Sequence, residues 1–423
     1  MIASILFISF IFFMLIRVPI GFALGLASLV TIFFSGSVSP KYLVQGLVTS
    51  ADSFPLMAIP FYILAGEVMG QGGISKRLFG FAKIFVGNIT GGLAIATVVT
   101  CIFFAAISGS GPATVAAIGG MVIPLMVKQG YDKKFATAII VAAGTIGVII
   151  PPSIPMVIYG VSASASIGDL FIAGIIPGLL VGALLIIYSY FHAKVHNYPK
   201  DNQKLTFNLV AKEFIGASWS LAMPIIILGG IYGGIFTPTE AAVVATVYGL
   251  IVGIFVYKEL KFKDLFRVFS TASLTTAIIL IITGTATFFG RILSIENIPE
   301  VVATSITSIS DNPIVLLLLI NLFLLFVGTF MDVIASIIIL TPILLPVAIA
   351  AGLDPVHFGI IMVVNLAIAL ITPPIGGTLF VGVGISRLSI WEVSKAVVPM
   401  FFLMVLALLI VTYLPQINVF LPK

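Results

Sequence analysis

The sequence predicts an all-α, polytopic membrane protein made of two inverted-topology repeats, and three observations carry that prediction. Of its 423 residues 60 % are hydrophobic and only 8 % charged, about a third of the ~25 % charged fraction of soluble domains. Mean hydropathy is +1.28, and apolar runs long enough to cross ~30 Å of hydrocarbon recur from end to end. The double proline of "GTIGVIIPPSIPMVIYG" (Pro151-Pro152) returns 222 positions later in "NLAIALITPPIGGTLFVG" (Pro373-Pro374). With no gap at all, Pro124 also matches Pro346, Gly130 matches Gly352, Asp132 matches Asp354, Gly160 matches Gly382, Ser164 matches Ser386 and Pro177 matches Pro399. Paired, interrupted apolar helices in two halves of a membrane chain mark a central binding site.

The remaining composition excludes several classes. One cysteine, Cys101, allows neither an internal disulfide nor a cysteine-based metal cluster. A net charge of +5 does not imply nucleic acid here, because the basic residues sit in short loops beside apolar segments, where they orient a membrane protein. The N-terminus "MIASILFISFIFFMLIRVP" lacks a basic stretch ahead of its apolar run, so it reads as a retained helix rather than a cleaved signal. The polar stretch from His192 to Glu213 reads as a loop too short to fold alone.

Charge sets the topology. Lys128-Lys133-Lys134, Lys194 to Lys212 and Lys258 to Arg267 are separated by pairs of apolar passes, which puts all three clusters on the cytoplasmic face. Residues 91–129 join Lys76-Arg77-Lys83 to the first of these, as two arms that dip in and return. The corresponding stretch 311–351 has acidic flanks (Glu296, Glu300, Asp311, Asp354) and lies one extra pass away. The first hairpin should therefore open inward and the second outward, with the N-terminus outside. The halves are 1–213 (hairpin 91–129, broken helix 133–167) and 214–423 (hairpin 311–351, broken helix 354–387). The segment "ISKRLFGFAKIFVGNITGG" reads as an amphipathic helix along the cytoplasmic surface.

The double prolines call for a broken helix. Residues 133–167 as one helix would run ~52 Å, far more than an upright span needs. Proline removes a backbone donor and pushes the residue before it out of helical geometry. Two half-helices meeting near the midplane follow, with freed carbonyls and amides that are tolerated only in a protein interior or a polar cavity. A kinked but continuous helix is the alternative for one such site; two in register, each behind a hairpin, favour the break.

Each hairpin has a polar tip. Ser108-Gly109-Ser110-Gly111-Pro112-Ala113-Thr114 interrupts an apolar region. Its glycines permit a reversal, Ser110 is placed to cap the returning helix, and Pro112 suits that helix's first turn. Hydroxyls and freed carbonyls there are hard donors for a cation, and the returning amides favour an anion. Close helix packing is the competing explanation. At the second tip, Gly328-Thr329-Phe330-Met331-Asp332, the acid has no lysine or arginine in its segment. A carboxylate at that depth costs on the order of 2.5–3.5 kcal/mol on insertion scales. It could ligate sodium, carry a proton or cap the second arm, and these roles are compatible. Gly144, Thr145 and Gly147 precede the first double proline; Asn365 and Thr372 precede the second, with Gly376, Gly377 and Thr378 after it. Thr237 and Glu240 read as a capping box, and Glu67 and Asp169 as charges at helix interfaces.

At these residues the sequence resembles a known family. "SGSGPATVAAIGGMVIPLM", "GTIGVIIPPSIPMVIYG" and "NLAIALITPPIGGTLFVG", within a match running from "RVPIGFALGLAS" to "WEVSKAVVPM", are similar to the large, DctM-like membrane subunit of tripartite ATP-independent periplasmic (TRAP) transporters. The resemblance implies sodium-coupled uptake of an organic acid, such as sialic acid or a C4-dicarboxylate, by an elevator movement in the bacterial inner membrane. It implies a periplasmic binding protein and a small four-helix membrane subunit. No such subunit precedes residue 1, so it is expected as a separate chain. It also implies Na+ at Ser108, Ser110, Gly111, Thr145, Gly147, Gly328, Asp332, Thr372 and Gly376. Substrate is expected between the tips, at Pro112, Thr114, Pro152, Asn365, Pro374 and Thr378. With no arginine there, a carboxylate would lean on helix N-termini and hydroxyls.

Two other functions fit less well. A stand-alone dicarboxylate or arsenite-type symporter shares the two-hairpin logic without a binding protein. An intramembrane serine hydrolase at Ser108 or Ser110 needs a base at depth, yet His192 and His196 fall in the polar stretch and His357 near an interface. An ATP-driven pump would need a P-loop pattern, which the chain lacks.

Overall fold

The computed structural model describes residues 2–36, 39, 41–200, 206–307 and 312–415. Asp311 of the acidic flank, residues 201–205 of the polar stretch and the tail beyond 415 lie outside the described residues. Two apolar helices, α1 (Ile2–Leu15) and α2 (Ile20–Ser35), pack together and lead to α3 (Lys41–Ala51), α4 (Ala58–Gln71) and α5 (Ile74–Val86). The first hairpin is α6 (Gly92–Ser108) and α7 (Gly111–Lys128). It precedes a helix broken into α8 (Lys133–Gly144), the single turn α9 (Ile146–Ile149) and α10 (Ile154–Ala163). Next come α11 (Ile167–Val195), α12 (Phe207–Tyr232), α13 (Pro238–Ile251), α14 (Phe262–Ile295) and α15 (Ile298–Thr307). The second hairpin, α16 (Pro313–Phe330) and α17 (Val333–Ala350), precedes the broken pair α18 (Pro355–Ala369) and α19 (Gly377–Ser386), and α20 (Ile390–Tyr413) follows.

The repeat survives in three dimensions at residue resolution. The bounds of α17 are those of α7 shifted by 222 at both ends. Gly130 and Gly352, which close these helices, share a left-handed φ of 85° and 86°, a conformation glycine adopts without steric cost. Asp132 and Asp354 then cap the two broken helices, accepting from Phe135 N at 2.9 Å and Val356 N at 2.7 Å. Both Pro-Pro bonds are cis. Five spans separate the hairpins: 133–163, 167–195, 207–232, 238–256 and 262–295. An odd number of crossings inverts the second repeat relative to the first. The chain is an all-α polytopic membrane protein with inverted-topology repeats, two re-entrant hairpins and two broken helices.

Burial sorts the helices. The window around the first broken helix is enclosed entirely by protein, whereas α14 leaves most of its surface outward. A helix apolar on every side must be either surrounded by protein or bathed in lipid, and these two take the opposite options. The core therefore gathers around α8–α10 and α18, with α2, α4 and α14 flanking it.

Three expectations need correcting. The polar stretch 192–213 is not one loop: His192 lies in α11 and residues 207–213 open α12, because Thr206 caps α12 at Leu209 N (3.4 Å) and the helices continue past their apolar spans. The boundary at 213/214 consequently falls inside α12. The segment after residue 74 does form an amphipathic helix, but the apolar face of α5 (Ile74, Leu78, Phe79, Ala82) is buried against α6 and α12, inside the protein. The capping box at Thr237 and Glu240 is present.

Candidate functional site

The first tip is assembled as its residue types suggest. Gly109, at φ 61°, ends α6, and Ser110 Oγ accepts from Ala113 N at 3.4 Å to start α7, with Pro112 in its first turn. Thr114 Oγ1 donates to Ser110 O at 2.8 Å and lies 2.9 Å from Ser108 Oγ. The tip is tied to the first break by a hydrogen bond from Ile154 N to Gly109 O, 3.2 Å. Gly147 makes this contact possible, since a Cβ there would lie 2.5 Å from Thr114 Oγ1 and 2.7 Å from Ser110 O. Gly111 lies between the two breaks, where a Cβ would meet Thr378 Cγ2 at 3.0 Å and Gly144 O at 3.3 Å.

The second tip repeats the plan with different chemistry. Asp332 Oδ1 accepts from Ile334 N at 2.9 Å and caps α17. Ile375 N donates to Thr329 O at 3.2 Å, tying this tip to the second break. Gly328 permits close contact with Ala369 and Leu366. Gly376, between the break and α19, lies against the carbonyls of Leu370 and Thr372. Thr145, Thr372 and Thr378 each donate to a backbone carbonyl, at 2.7, 3.0 and 2.8 Å. Each hydroxyl has used its only proton, so its oxygen lone pairs remain as hard donors.

Both tips face one cavity of about 460 Å³, walled on the far side by Ile63, Gly66 and Glu67 of α4 and by Thr275, Ile278, Ile279 and Ile282 of α14. Ser108, Ser110, Pro112 and Asp332 line it directly. Gly111, Thr114, Thr145, Gly147, Gly328, Thr372, Gly376 and Thr378 stand outside its lining, most of them where the tips meet the breaks. Pro152 is buried beside Gly109, whereas Pro374 is exposed. Repeat-related positions thus differ: the first double proline is buried and the second open.

Asn365 is placed elsewhere than expected. Its Nδ2 donates to Asn321 O and Oδ1, each at 3.0 Å, and Asn321 Nδ2 donates to Thr412 Oγ1 at 3.0 Å. The fully buried amide thereby joins α18 to α16 and, through Asn321, to α20, away from the cavity; apolar packing on every side of α18 turned it inward. Two residues gain importance. Ser153 caps α10 at Met156 N (3.3 Å) and donates to Val148 O at 2.6 Å across the break; its place directly after a double proline was the available signal. Glu67 lines the cavity opposite the tips, and the polarity of an acid within "PFYILAGEVMG" was its signal.

The chain is 51 % identical over 419 residues to an isethionate TRAP transporter permease, DctMQ, of Oleidesulfovibrio alaskensis, covering 98 % of this chain but 66 % of that longer protein. In Vibrio cholerae it is 43 % identical to a C4-dicarboxylate TRAP transporter large permease, DctM (100 % and 98 % covered), and 39 % identical to the sialic acid large permease SiaM (96 % and 95 %). The crystal structure of the Alcanivorax borkumensis YdaH transporter, described as having an unusual topology, superposes with a TM-score of 0.64 at 17 % identity, over 96 % of this chain and 97 % of that one. That likeness speaks for the fold alone. The family described as "Tripartite ATP-independent periplasmic transporter, DctM component" matches residues 7–417. With paired tips, paired breaks and a shared cavity, the chain belongs to the DctM component family of TRAP transporters and is a transport protein, not an enzyme.

Proposed function

We propose that this chain is the large membrane subunit of a sodium-coupled importer of a small organic acid in the bacterial inner membrane, with its N-terminus on the periplasmic side. The observation that carries the reading is the single cavity between two hairpin tips and a flanking wall. It offers hydroxyl oxygens and a carboxylate for a cation beside helix N-termini for an anion. Relatives named for isethionate, C4-dicarboxylate and sialic acid are consistent with an acidic cargo. The hairpins and broken helices form the moving core, and α2, α4 and α14 belong to a static scaffold past which it slides as an elevator. A periplasmic binding protein delivers the substrate. A small four-helix subunit supports the scaffold, consistent with the extra length of the DctMQ relative.

The test is uptake into proteoliposomes holding this chain and its small subunit, with the binding protein added outside. Uptake of isethionate, succinate or sialic acid that needs both an inward sodium gradient and the binding protein supports the proposal. Sodium-driven uptake without any binding protein would instead indicate a stand-alone symporter. Uptake indifferent to sodium would refute the coupling.

A further inference from the structure

We infer that Glu67 is a charge-selecting residue of the cargo cavity, placed to disfavour a second negative charge on the substrate. The inference rests on the reading that this cavity carries an organic acid. Glu67 sits on α4, half-buried, in the cavity that Asp332 and the two tips also line. The neighbouring Gly66 brings that wall close, since a Cβ there would lie 3.5 Å from both the Cα and the carbonyl oxygen of Ser108.

The nearest cation behind Glu67 is engaged by another residue. Arg267 Nη2 donates to Gln71 Oε1 at 3.0 Å, and Gln71 stands one turn beyond Glu67 on α4. Because the amide oxygen already accepts from Arg267, only the amide NH2 is left to turn toward Glu67. The guanidinium is engaged at Gln71, one residue away from the acid. Among the described lining residues the cavity holds two carboxylates, Asp332 and Glu67, and no lysine, arginine or histidine.

A cation travelling with the cargo and held at the tips would offset Asp332, while Glu67 in α4 has no cationic side chain beside it in the cavity lining. A monoanion can turn its uncharged end toward Glu67. A dianion of the same size cannot, and like charges across a partly buried site repel strongly.

The experiment compares isethionate, a monoanionic sulfonate, with sulfoacetate, a dianion of similar size, in competition for sodium-driven uptake by the complete transporter near pH 7.5. The wild type is expected to favour isethionate, and Glu67→Gln to shift the ratio at least about fivefold toward sulfoacetate, while Glu67→Asp keeps the wild-type ratio. A wild type that favours the dianion overturns the inference without any variant. So does an unchanged ratio in an active Glu67→Gln transporter. Should Glu67→Gln fail to insert, Gln71→Ala, which leaves the Glu67 charge in place, must still favour isethionate. A wild type that takes up no organic acid at all overturns the transport reading itself.

Discussion

Ser110 and Asp332 hold equivalent positions in the two hairpins, 222 residues apart, and each caps the helix that leaves its tip. Ser110 Oγ accepts from Ala113 N at 3.4 Å, and Asp332 Oδ1 accepts from Ile334 N at 2.9 Å. A neutral hydroxyl meets the backbone requirement in one half, so capping alone does not call for a charge in the other. The acid adds a cation-attracting oxygen pair to a cavity the serine leaves neutral. Divergence at one matched position is thereby separable into a structural part, shared, and a charge part, unique to Asp332.

Asp332→Asn and Asp332→Ala separate those parts. Asparagine keeps a capping oxygen and removes the charge, so it should lower sodium-dependent uptake at least about tenfold with little change in thermal stability. Alanine removes both, and should cost a further ~1 kcal/mol for the lost cap. Uptake and sodium dependence unchanged in both variants would leave Asp332 as a helix cap and nothing more.

Gly147 tests whether the seat of the first tip matters for transport. A methyl group there meets Thr114 Oγ1 and the Ser110 carbonyl, and overpacking of this kind costs about 1–3 kcal/mol. Gly147→Ala should therefore reduce uptake sharply and lower the melting temperature. Gly384→Ala, where an added Cβ meets nothing within 4 Å, should do neither. Equal behaviour of the two variants would show that the tip tolerates displacement.

Much of this architecture was legible in the residues because local chemistry fixed it. Ser110, Asp132 and the Thr237–Glu240 pair announce helix starts through hydrogen bonds within three residues of themselves, Pro112 announces one through a first turn that needs no N–H, and the gap-free proline register announces the repeat. What stayed hidden depends on the direction a side chain takes from its helix. In a fully enclosed helix such as α18 there is no polar face to reveal orientation, so Asn365 gave no sign that it points to Asn321 rather than to the cavity. Glu67 was visible as a charge in an apolar run, but only the packing of α4 against Ser108 places it opposite the tips. The polar stretch 192–213 misled because polarity marks the end of the hydrocarbon, not the end of the helix.

The amide network offers a contrast with the cavity. Removing Asn365 with leucine leaves Asn321 O and Oδ1 without the donor they now share, and an unsatisfied buried group costs about 1–3 kcal/mol. Asn365→Leu should lower thermal stability while leaving the apparent KM for substrate within about twofold of wild type. A KM raised tenfold in a stably folded variant would return Asn365 to the substrate site.

The two halves of the core are held to each other through Tyr159. Tyr159 of α10 donates its hydroxyl to Pro355 O of α18 at 2.6 Å, and its ring meets Phe358 edge-on at 6.4 Å. The ring is seated against Gly359, which has no side chain to obstruct it. Tyr159→Phe deletes only the hydrogen bond and should cost about 0.5–1.5 kcal/mol. Gly359→Ala drives a methyl group into the ring and should cost more, because a fully buried tyrosine between α10 and α18 has nowhere to retreat. If the two broken helices travel as one body, both variants should lower the melting temperature in that order and slow uptake without altering its sodium dependence. A sodium dependence that changes in Tyr159→Phe would mean instead that the halves move against each other during transport, with this hydrogen bond breaking in each cycle.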